Sequence, residues 1–158
     1  MEELSELVHA TFPTGPVPSR YWLDGTEFLG DIPRELASRI AHRRWVDVTM
    51  LDWTMTGAHA ATTRNYFDAD AFRYYLPSLL VGGLNDLRFI DWPLECLVPA
   101  RMKRRTTGKW WQAFFVGFSL EQKDAVRRYL IGARRMLDGS THLSELHLID
   151  KAQLIWGS

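Results

Sequence analysis

Between Phe67 and Leu84 the chain reads Phe-Asp-Ala-Asp-Ala-Phe-Arg-Tyr-Tyr-Leu-Pro-Ser-Leu-Leu-Val-Gly-Gly-Leu, and few architectures accommodate such a run. Asp68 is placed to accept hydrogen bonds from the free amides that open a helix, and Asp70 adds negative charge to the first turn. Phe72, Leu76, Leu79, Leu80 and Gly83 then recur on one face, while Gly82, Gly83 and Asn85 supply a stop. Pro77 sits in the middle. It has no amide to donate to the carbonyl of Arg73, so the spacing predicts either a kink or a second short helix that starts at Pro77. A helix with this much apolar and aromatic surface needs a core around it.

The rest of the chain supplies the helices for one. Leu4, Leu7, Val8 and Thr11 repeat at helical spacing within 2–12, and Pro13-Thr-Gly-Pro-Val-Pro18 follows as a connecting loop. Asp31 and Pro33 open a second helix that runs to the arginines near Arg44. A short one starts from about Pro93. Ser119-Leu-Glu-Gln122 has the form of a capping box, and Leu120, Val126, Tyr129, Leu130, Ala133 and Leu137 continue the period behind it. Leu143 to Trp156 forms a last helix. The expected fold is mainly α, one compact helical domain of about six or seven helices spanning 1–158. Short strands at 45–49 and 111–118 would add a two-stranded element, because Trp45 to Trp53 alternates briefly and the apolar run to Phe118 has no decisive period. Residues 1–19 read as a loosely attached helix and Pro-rich loop, 20–137 as the core, and 138–158 as a C-terminal helix or tail.

At 158 residues, with 46% hydrophobic and 13% aromatic content, the chain suffices for one well-filled core. The single Cys96 cannot form an internal disulfide, the N-terminal run lacks the basic start and apolar centre of a secretory signal, and no stretch reaches the length of a membrane span. A cytoplasmic protein is expected. Net charge is zero, yet the halves differ. Residues 1–100 carry 14 acidic and 8 basic side chains, and 101–158 carry 5 and 11. Either the two parts compensate one another or the surface is bipolar and suits a charged partner.

Catalytic motifs are wanting. His9, His42, His59, His142 and His147 follow no metal-binding spacing, and Cys96 lies in an apolar context that suits a small buried hydrophobe. The aspartates are explained by caps and solvated surface. The chain lacks a phosphate loop, a nucleophile elbow and a dinucleotide fingerprint. No catalytic residue, cofactor or metal ligand is therefore assigned. The one conspicuous cluster is Arg101, Lys103, Arg104, Arg105 and Lys109 with Trp110 and Trp111 beside them. It reads either as a docking surface for an acidic protein or a nucleic acid, or as a solvated loop that leads into a buried Trp pair.

Three stretches together, Trp45-Val-Asp-Val48, Phe67 to Pro77 and Phe118-Ser-Leu-Glu-Gln-Lys-Asp-Ala-Val-Arg-Arg-Tyr-Leu130, resemble small bacterial proteins of the domain-of-unknown-function 6714 type. In that type a Trp element leads to an aromatic Phe-x-Tyr-Tyr-Leu-Pro helix and then a late Phe-x-x-Leu-x-x-x-Gln helix. The match spans about residues 36 to 137. The resemblance implies a small helical cytoplasmic domain, similar in architecture to immunity proteins that neutralise a cognate bacterial toxin by occluding its active site or substrate groove. It carries over no binding residue. The Pro-rich N-terminal stretch and the tail from His142 to Ser158 depart from the pattern. Two other functions remain open: an enzyme with a cleft between the Phe72 helix and the Trp45 segment, and a nucleic-acid module using 101–111, which the neutral overall charge disfavours.

Overall fold

Asp68 opens the central helix as the sequence requires: its Oδ1 accepts the amide of Ala71 at 2.8 Å. The computed structural model describes residues 2–100 and 108–157. Over these, eight α-helices run in the order α1 (Glu2–Thr11), α2 (Asp31–Arg39), α3 (Met50–Thr54), α4 (Ala69–Asn85), α5 (Asp91–Cys96), α6 (Lys109–Val116), α7 (Leu120–Met136) and α8 (Leu143–Trp156). Four 3-10 turns, at Thr26–Phe28, Trp45–Asp47, Ala60–Asn65 and Leu87–Phe89, join them. The protein is a mainly α single domain.

Helix α4 is its axle. It packs against α1, α3, α5, α6 and the Trp45 turn, and Phe72, Tyr75, Leu76, Leu79 and Leu80 are fully buried. Pro77 neither ends it nor starts a second helix, and α4 runs unbroken through it. Polar groups bind the surrounding elements to α4. Tyr75 donates to the carbonyl of Arg43 at 2.7 Å, Trp53 Nε1 donates to Ser78 Oγ at 2.9 Å, and Tyr129 of α7 donates to the carbonyl of Leu80 at 2.7 Å. Each buried polar atom thereby keeps a partner where water cannot reach it.

The expected two-stranded element is absent from the described residues. Trp45–Asp47 is a 3-10 turn, in which Trp45 and Val48, three apart, are both buried and Arg44 Nε reaches Asp47 Oδ2 at 3.0 Å. Alternation over so few residues could not outweigh the burial of Trp45 and Val48 in the core. The run 109–116 is α6, and its buried positions Trp110, Trp111 and Phe114 continue to Phe118 at intervals of three and four, a helical period. The nearest thing to a sheet is an isolated antiparallel bridge, Trp22 with Phe67. Helix α2 ends at Arg39 rather than near Arg44. His42 turns left-handed at φ 69, and its amide donates to the Tyr21 hydroxyl at 3.0 Å.

The N-terminal segment is not loosely attached. Val8 and Phe12 are buried against α4 and α7. The Pro-rich loop is held from two sides, because Trp45 Nε1 donates to the carbonyl of Pro13 at 3.1 Å and the Tyr74 hydroxyl donates to that of Thr14. Prolines exclude a helix there, but they leave the carbonyls free to accept.

Candidate functional site

Three elements, one of them in the C-terminal tail where partner contacts are expected, enclose an open groove of about 1220 Å³. One wall is the Ala60–Asn65 turn, the floor is the end of α5 through Ala100, and the other wall is α8. The turn forms because His59 caps it: Nδ1 accepts the amide of Ala61 at 3.0 Å. That nitrogen therefore carries no proton in this arrangement. Nε2 lies 3.4 Å from Asp91 Oδ2, and the imidazole stacks on Trp92 with centroids 4.6 Å apart. A single histidine thus ties the turn to α5. Helix α8 is docked through Trp156, whose Nε1 donates to the carbonyl of Leu97 at 2.8 Å and whose own carbonyl accepts from Arg127 at 3.0 Å.

Arg64 lies at the junction of wall and floor. It is only 4% exposed, although arginine is seldom buried without a carboxylate. Nε donates to the carbonyl of Ala61 at 2.9 Å and Nη1 to that of Val98 at 2.8 Å. Among the described residues no carboxylate comes within ion-pair distance of it, and Nη2 donates to none of them. Glu95 and the Cys96 thiol act on it only through space. Burial accordingly pushes its pKa below the usual arginine value, against the pull of Cys96 and Glu95. The facing wall presents His147, Leu148, Lys151, Leu154 and Ile155, positions one helical face brings together. Leu154 is 89% exposed, and Leu143 nearer the start of α8 is exposed as well.

The residues singled out in the sequence are placed differently. Arg101, Lys103, Arg104 and Arg105 lie outside the described residues. Lys109 is exposed at the start of α6. Trp110 and Trp111 belong to the core, 5% and 9% exposed. Trp110 Nε1 donates to the carbonyl of Phe67 at 3.0 Å and its ring stacks on Phe114, while Trp111 meets Trp156 edge to face. Neither ring is open to a base or a partner, which corrects the reading of the Trp pair as part of a docking surface. The cleft suggested between the Phe72 helix and the Trp45 segment is filled, since Trp45, Phe72 and Tyr75 are all buried there.

The groove itself was not foreseen. Arg64 stands in Ala60-Ala-Thr-Thr-Arg-Asn65, where no apolar period marks a buried face, and the one available signal was His59 two residues before the Ala61 amide it caps. Among the described residues no three His, Cys, Asp or Glu side chains gather as a metal site would require, and no helix is long and apolar enough to cross a membrane. Compared with family models, curated proteins and solved structures, the chain matches none.

Proposed function

We propose that this chain is a cytoplasmic protein-binding domain of the immunity type, which neutralises a cognate bacterial toxin by occluding its active site or substrate groove. The observation that supports it most is the open groove, with the buried guanidinium of Arg64 where its wall meets its floor and apolar Leu154 exposed on its rim. Arginine and large apolar side chains in a partly desolvated hollow are usual anchors of a protein interface. The resemblance of 36–137 to domain-of-unknown-function 6714 proteins supplies the biological setting. The buried guanidinium of Arg64 is held by two backbone carbonyls and is not hydrogen-bonded to an acid or base, so the enzymatic reading, which needs such a pair, gains no support from it. With Trp110 and Trp111 in the core, the nucleic-acid reading keeps its charges and loses its stacking platform.

Coexpression tests the proposal. Each reading frame beside this gene is expressed alone and together with the protein. One product that arrests growth alone and is tolerated in the pair, with the two copurifying, is the expected result. If every neighbouring product is harmless alone, or if toxicity persists in every pair, the immunity reading fails.

A further inference from the structure

We propose that the groove is a receptor for an extended acidic segment of a partner protein, with one carboxylate of that segment seated on Arg64 and its apolar neighbours lying along α8. This rests on the protein-binding reading above and names the chemistry of the partner. Arg64 has spare donors. A guanidinium carries five donors in a planar fork that matches a carboxylate, and here two of its nitrogens meet only neutral carbonyls, those of Ala61 and Val98. Nη2 has no acceptor among the described residues, where no buried side-chain nitrogen or oxygen lacks a partner, so it is the end of an otherwise buried side chain that opens into the groove. A buried charge gains most from an opposite charge that arrives with its hydrogen bonds made.

The walls combine basic and apolar side chains. His147 and Lys151 line the same groove as Arg64 from α8. Of the groove's two acidic groups, Asp150 is engaged with Arg134 and Glu95 makes no ion pair among the described residues. Val98, Pro99, Leu148, Leu154 and Ile155 supply the remaining surface. A carboxylate flanked by apolar side chains complements that pattern. The groove is also large: about 1220 Å³ exceeds the roughly 300–1,000 Å³ of ordinary small-ligand pockets. An extended polypeptide fills such a space better than a metabolite does.

The test uses the intact protein and its backbone amide NMR spectrum. It is titrated with hexanoate, with the isosteric neutral hexanamide, and with the blocked peptide Ala-Leu-Glu-Leu-Ala beside its Gln counterpart. Hexanoate is expected to shift the amides of 61–65, 95–100 and the groove face of α8 saturably, with a dissociation constant on the order of millimolar. Hexanamide should bind at least about fivefold more weakly, since the charge-assisted pair is lost. The Glu peptide should bind at least about tenfold more tightly than hexanoate, equivalent to about 1.4 kcal/mol of added contact, and more tightly than the Gln peptide. Equal affinity for hexanoate and hexanamide, shifts confined to other surfaces, or no saturable shift overturns carboxylate recognition. A Glu peptide no tighter than hexanoate overturns the polypeptide occupant and leaves a site for a small carboxylate. The comparison needs no variant, so the tie from Arg64 to Val98 stays intact. A toxin found by coexpression together with a negative titration would end this inference alone.

Discussion

Gly117 has ordinary helical angles, φ −72 and ψ −11, so backbone freedom is not what requires a glycine there. A Cβ at that position would fall 2.1 Å from Arg73 Cζ. The guanidinium crosses Gly117 to donate to the carbonyls of Ala113 and Phe114, at 2.9 and 3.2 Å, and so closes the C-terminal end of α6. Gly117→Ala should therefore displace Arg73 and cost about 1–2 kcal/mol in urea unfolding. In an Arg73→Ala background the same change should be neutral or slightly stabilising, because alanine restricts the unfolded chain more than glycine does. Equal costs in both backgrounds would show that Arg73 is not the obstacle. Cys96 is a fully buried thiol. Burial pushes its thiol up to about 12, against the opposing pull of Arg64. A folded value above the unfolded one means that the stabilisation is complete below the ordinary thiol value of about 8.5 and is lost as pH rises from there toward about 12. Tyr129 and Tyr75, also raised by burial, reinforce the trend above about pH 10. Between about pH 9 and 11 the stability of Cys96→Ala should fall less steeply than that of the unaltered protein, by up to about 1.4 kcal/mol per pH unit. Parallel slopes would place the thiol in contact with water.

At the scale of the element, α7 is the case in which local sequence and structure agree throughout. Ser119 Oγ accepts the amide of Gln122 at 3.1 Å, and Gln122 Oε1 accepts that of Ser119 at 2.9 Å. Ser119→Ala should lower stability by about 1 kcal/mol, and Ser119→Asp should restore most of it. An unchanged urea midpoint in the alanine variant would mean that packing alone fixes the start of α7. In α4, Leu76 is fully buried, and Leu76→Asp should leave no cooperative transition, since an unpaired carboxylate in that core costs several kcal/mol. A soluble, folded variant would place Leu76 at the surface. These elements were legible because caps and helical period are local signals: Asp68, Ser119 and the Phe72–Leu80 face each announce themselves within one or two turns. Trp45–Asp47 and α6 were not, because four alternating residues and an all-apolar run give no usable period, and the choice fell to tertiary packing. The groove was illegible for a different reason. Arg64, Val98 and Lys151 lie on three separate elements, and nothing in 60–65 discloses that an arginine there is covered on both sides.

Among the described residues, opposite charges of the two parts of the chain do not pair with one another. Every ion pair among the described residues joins partners within 1–100 or within 108–157, from Arg20 with Asp24 to Arg134 with Asp150. The two parts are held together by apolar burial and by hydrogen bonds to carbonyls, such as Tyr129 to Leu80 and Trp156 to Leu97. One core cluster runs from Val8 to Trp156, and α1 is part of it. A Cβ at Gly132 of α7 would lie 2.3 Å from Leu4 Cδ1, so the bare glycine is what lets α1 approach. Phe12 meets Phe118 edge to face, with centroids 6.4 Å apart. Burial of Val8 and Phe12 contributes roughly 2 kcal/mol each, a large share of the stability usual for a domain. Unfolding in urea should therefore be a single transition, with the seven tryptophans and the far-ultraviolet helical signal moving together and a slope of roughly 2 kcal/mol per molar urea. Removal of residues 1–19 should abolish that transition rather than trim it. If the shortened chain unfolds cooperatively at the original midpoint, or if fluorescence and helicity separate in the full chain, then α1 and its Pro-rich loop are an attachment and the core begins at residue 20.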